Sequence, residues 1–124
     1  MNEEYNLVMK EGAEVFATIT SSQFSPDPDD SEHEIVQFNF EYSINGKLIR
    51  RSHSFSINTM HIIYAHEGQL FDIPKLKYSL EDFKAAIAPG EKIKVRSIKE
   101  EPYWLVIEYN DVLNTVMNIE SVWT

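Results

Sequence analysis

The dipeptide Asn45-Gly46 sits between two stretches of alternating polarity and fixes how they can pair. Upstream, Val36, Phe38, Phe40, Tyr42 and Ile44 are apolar, and Gln37, Asn39, Glu41 and Ser43 between them are polar. Period two is the signature of a half-buried strand, because successive side chains point to opposite faces. Asn-Gly supplies two residues that tolerate positive φ, as a two-residue type I′ turn requires. With that turn, Tyr42 faces Ile49, Phe40 faces Arg51, Phe38 faces His53 and Val36 faces Phe55. The polar face then pairs Glu41 with Arg50, Asn39 with Ser52 and Gln37 with Ser54. A slip of one residue would set Ser52 and Ser54 against the phenylalanines. A lone hairpin is marginal in water, so other segments must cover its aromatic face. Arg51 and His53 are the polar exceptions on that face. The expectation is a rim position for Arg51, with its stem on Phe40, and a satisfied half-buried ring for His53.

The rest of the chain reads mostly as β. Ala13, Val15, Ala17 and Ile19 alternate after Gly12, with Phe16 breaking the rule, which predicts a strand to about Phe24. Residues 1–10 read as a short strand or turn. Ser25 to Glu34 reads as an acidic, proline-bearing loop between strands. Asn58 to Pro74 has no clear period, and Met60 to Ala65 suits a buried strand or packed loop. Ser79 caps a helix over about 79–88, with Leu80, Phe83 and Ile87 on one face and Pro89-Gly90 ending it. Ile93, Val95 and Ile98 mark a strand, and Lys99 to Pro102 turns it. Tyr103 to Tyr109 is apolar on both faces, as in a central strand or one buried on both sides. Val112 to Trp123 reads as a strand, on its valine, threonine, isoleucine and tryptophan content. The expected architecture is one mainly β domain over 1–124, a small antiparallel barrel or sandwich of about six to seven strands with one short helix.

Charge bears on partners. Twenty acidic residues against 11 basic ones give a formal net charge of −9. A field of that sign repels nucleic acid and anionic membrane and favours a basic protein partner. There are no cysteines, hence no disulfides, thiolate nucleophile or cysteine-ligated zinc. No signal peptide or apolar run of membrane-spanning length is visible, and the expectation is a cytoplasmic protein.

No stretch assembles a catalytic constellation. Phosphate loops, nucleophile elbows and paired metal-binding histidines on a helix are all missing from the sequence. Ser52, His53 and Ser54 are neighbours on one strand, so His53 points away from both serines. Asp27, Asp29 and Ser31 have the spacing of the first calcium-loop ligands, but the loop lacks its glycine and its final glutamate. His61, His66 and Glu67 fit no shared face for a metal. The sequence assigns no catalytic, metal or cofactor residue, and no cofactor is expected. Phe40, Tyr42 and Trp104 could stack bases, although aromatics on an alternating face usually form core.

Gly12 to Thr20, Tyr42 to Lys47 (Y-S-I-N-G-K), Gly90 to Val95 and the turn at Pro102 together resemble a bacterial family of small all-β domains of unknown function, often tethered to membranes. The resemblance spans most of residues 12–107. This chain is expected to differ from the family in having no flanking membrane helices and in carrying an insert over about Asn58 to Pro89. The resemblance implies a small all-β domain and brings no chemistry. Function is accordingly expected to be non-catalytic: a binding module for a protein partner. The alternatives are an immunity-type inhibitor of a basic toxin and an oligonucleotide- or ligand-binding small barrel. Strand edges could also pair across a homodimer.

Overall fold

A computed structural model describes residues 3–69 and 73–121. In order it holds α1 (Glu3–Glu11), β1 (Ala13–Asp27), β2 (Asp30–Ile44), β3 (Lys47–Asn58), α2 (Thr59–Glu67), α3 (Leu80–Ala86), β4 (Lys92–Ile98), β5 (Glu101–Tyr109) and α4 (Asp111–Ser121). The five strands form one antiparallel sheet in the order β3-β2-β1-β4-β5. The sheet curls until its two end strands, β3 and β5, approach each other, giving a nearly closed barrel.

The central hairpin has the register its turn dictates. Tyr42 pairs with Ile49, Phe40 with Arg51, Phe38 with His53 and Val36 with Phe55. Asn45 and Gly46 both take positive φ, at 52° and 77°. The even-numbered residues from Val36 to Ile44 are buried, and they meet Ala17, Ile19, Ile93 and Val95 inside. β1 keeps its face only by a bulge: Ile19 pairs with Phe40 but Ser21 pairs with Asn39, so Thr20 is extra. The bulge switches the inward parity from odd to even, which places Phe24 inside. Phe16, the exception to the alternation, lies outward and 68% exposed.

Several expectations need correction. The described residues hold five strands, fewer than the six to seven expected, and four helices in place of one. Ser25 to Glu34 is not a loop: β1 and β2 run to Asp27 and from Asp30, leaving only Pro28-Asp29 as the turn. Pro26 is tolerated because β1 pairs with β4 only over Ala13–Thr18, so its outer edge there needs no donor. Residues 3–11 are helical and lie against β4 and β5. α2 occupies 59–67, started by the Asn58 side chain, which accepts from the backbone N–H of Met60 and His61 at 3.0 and 3.2 Å. Gly68 ends it in the left-handed region.

The segment from Val112 onward is a helix, not a strand, and residues 122–123 lie outside the described ones. Asn110 accepts from Leu113 N–H at 2.9 Å, Asp111 adds negative charge to the first turn, and Leu113 and Val116 are fully buried. Cap and packing together override the mediocre propensity of valine and threonine. The expected helix forms as α3, with a capping box between Ser79 and Asp82. Helices α2, α3 and α4 pack on one another and place Ile62, Phe83, Ile87 and Leu113 in the barrel core. Phe83 meets the rings of both Phe24 and Phe55, so α3 plugs the space between β1 and β3. Among the described residues no helix is long and apolar enough to cross a membrane.

Candidate functional site

The barrel's seam follows from its topology. β3 and β5 end the strand order, so each keeps one edge that no strand among the described residues pairs with. Side chains close the gap instead of a ladder. β5 bulges at its start, where Ser97 pairs with Leu105 but Ile98 pairs with Glu101. That bulge takes Pro102, which could not donate to a regular ladder. The freed carbonyls are held from three sides. The Tyr42 hydroxyl donates to Pro102 O at 2.5 Å, Arg51 donates to Tyr103 O, and the Ser97 hydroxyl donates to Trp104 O at 2.7 Å. Burial pushes the Tyr42 hydroxyl above its ordinary pKa, which keeps it a donor.

At the other end of β5 a second irregularity aims a side chain. Val95 pairs with Ile107 and Lys94 with Tyr109, so Glu108 is extra. Tyr109 has φ 59°, in the left-handed region that a bulky residue enters at a cost of about 1–3 kcal/mol. Its ring turns toward β3, and its hydroxyl lies 2.9 Å from His53 Nε2. His53 also packs against the rings of Phe38 and Phe55. Burial holds its imidazole below the ordinary pKa, so the ring is neutral at neutral pH, and burial raises the Tyr109 hydroxyl.

Between these two bridges lies a cleft of about 320 Å³, lined by Phe40, Arg51, Ser52, His53, Leu105, Ile107 and Tyr109. That size is at the lower limit for a small-ligand site, and polar and apolar groups share its lining about equally. Among the described residues no carboxylate lines it, despite the acidic composition. No family model, no curated protein and no solved structure matches this chain.

The remaining candidates fall elsewhere. Asp27 caps the β1–β2 turn, accepting from Asp29 N–H at 2.9 Å, and Asp30 accepts from Glu32 N–H at 3.0 Å, so both carboxylates serve the hairpin. His66 Nδ1 lies 3.1 Å from Leu76 O, and no group of three metal-ligating side chains occurs among the described residues. Ser52 and Ser54 point outward while His53 points in. Phe40 and Tyr42 are core residues stacked on each other at 6.3 Å, with no ring face free for a base. Arg51 and His53 do come together, as two of the residues that line this cleft. Their partners Tyr103, Leu105, Ile107 and Tyr109 were not singled out by sequence reasoning. The only signal for them was the two-sided apolar run that they belong to.

Proposed function

We propose that the protein is a non-catalytic binding module that receives a segment of a protein partner at the seam between β3 and β5. One observation carries the reading: two strand edges face each other across a lined cleft and share no ladder. Exposed edges are the usual means by which a β-domain takes up an extended segment, with main-chain bonds for affinity and pockets for specificity. The same edges could receive a second copy of the chain, which sedimentation would show as a dimer.

A second reading keeps the barrel as a carrier of small ligands or oligosaccharides. It is favoured by the five-stranded, nearly closed sheet and by the polar outer face that joins Thr20, Asn39 and Ser52. The charge balance disfavours nucleic acid. The acidic β1–β2 tip, with Asp27, Asp29, Asp30 and Glu32, supports a basic partner, such as the toxin of an immunity-type inhibitor.

The leading reading is tested by placing a photo-crosslinking residue at Ser52, at Tyr103 and, as a control, at Glu81 on α3. All three are exposed or at the rim of the barrel. Both seam positions should give the same discrete protein adduct and Glu81 none. The purified partner should then slow amide exchange at Arg51–His53 and Leu105–Tyr109. Adducts that are identical from all three positions, or absent from the seam, would contradict it.

A further inference from the structure

Resting on that reading, we infer that the seam cleft recognises a free carboxylate at the end of the partner's chain. Arg51 makes no ion pair with a carboxylate among the described residues, whereas Arg50 pairs with Glu41, and Arg96 with Glu14 and Glu108. A chain of 20 acidic residues thus leaves one guanidinium at the mouth of a cleft that no acid among the described residues lines. Arg51 uses one donor on Tyr103 O, which fixes the fork in place, and most of its N–H groups remain for a ligand. A planar guanidinium matches a carboxylate with two parallel hydrogen bonds. Behind it, the part-buried Leu105 and Ile107 offer apolar contact to the side chain that carries the acid. His53 and Tyr109 close the far side through their mutual hydrogen bond.

The two bridges select a chain end. A segment running the length of the seam would displace both the Arg51–Tyr103 and the His53–Tyr109 contacts. An acidic side chain borne mid-segment would lay backbone on both sides of the mouth. A terminus reaches in from one side and leaves both bridges intact.

The test is a ¹H–¹⁵N titration of the whole protein with three peptides: acetyl-Thr-Val-Leu as the free acid, the same peptide as its C-terminal amide, and acetyl-Thr-Glu-Leu amide. The free acid should give saturable shifts confined to Arg51–His53 and Leu105–Tyr109. The amide should bind about tenfold more weakly or worse, the loss expected for a charged hydrogen bond. Arg51→Gln should remove the preference for the acid, and Arg51→Lys should restore part of it. Equal shifts from acid and amide, or none at the seam, would overturn the inference. Equal binding of the glutamate peptide would overturn the choice of a chain end. A discrete cross-link at Ser52 without any preference for the acid would sink this inference and leave the seam as the partner's site; loss of both would sink the two together.

Discussion

Tyr109 Oη and His53 Nε2 lie 2.9 Å apart across two strands that have no register with each other. The contact joins residues 56 positions apart and depends on a backbone conformation unusual for tyrosine. It fastens the far end of the seam, while at the near end Arg51 donates to Tyr103 O and Tyr42 to Pro102 O.

Removing that hydroxyl should loosen the seam without emptying the core. Tyr109→Phe is expected to cost about 0.5–1.5 kcal/mol, the net worth of one intramolecular hydrogen bond. Combined with His53→Phe, it should show a coupling of about 1 kcal/mol in urea unfolding. Strict additivity of the two losses would mean that the pair does not fasten the barrel.

His53 should also make stability depend on pH. Burial lowers its folded pKa, and the groups packed on it are Phe38, Phe55 and Tyr109, none of them anionic at neutral pH. As pH falls below about 6.5 the unfolded chain takes up a proton that the folded ring resists, so stability falls. Above that pH the residue adds no slope. Urea midpoints between about pH 8 and about pH 5.5 should decline on the acid side, and His53→Gln should flatten that part of the curve. Asp82 acts lower on the scale. Its bonds with Ser79 hold its carboxyl below the ordinary value, so its contribution is present above the usual carboxylate range and is lost as pH falls through the lowered pKa.

Gly12 should tolerate no side chain. A Cβ there would lie 2.3 Å from Val8 O and 3.0 Å from Ser97 O, both backbone atoms that cannot swing aside. Gly12 also ends α1, donating to Val8 O at 2.8 Å, and its carbonyl accepts from Arg96 at 3.2 Å. Gly12→Ala is expected to cost about 1–3 kcal/mol and to free α1 from β4 and β5. Limited proteolysis near residues 3–11 would detect that release; unchanged resistance and an unchanged urea midpoint would contradict it.

The parts legible in the sequence are those governed by neighbours. The β2–β3 register follows from the Asn45-Gly46 turn and two rows of side chains, and α3 from its Ser79 cap. Parity misled wherever a bulge intervened, as at Thr20, Glu108 and the stretch after Pro102, because one extra residue turns a strand over without any mark in composition. The residues of α4 favour strands; Asn110 and the burial of Leu113 and Val116 decide for a helix, and burial is a tertiary fact. Pro26 and Pro28 suggested a loop because a one-sided strand, which can spare a donor, is indistinguishable from one in sequence. For the seam, Arg51 and His53 stood out as misplaced polar residues, but their partners lie on β5, about fifty residues away, and only the closing of the sheet brings them together.

Amide hydrogen exchange along β3 and β5 tests most directly whether side chains, and not a ladder, close this barrel. The structure predicts alternation in both strands: amides bonded to β2 or β4 are protected, and those facing the seam over Arg51–Phe55 and Leu105–Tyr109 exchange readily. Uniform protection along both strands, matching that of β1 and β2, would mean that a continuous ladder joins them and that no edge is left for a partner.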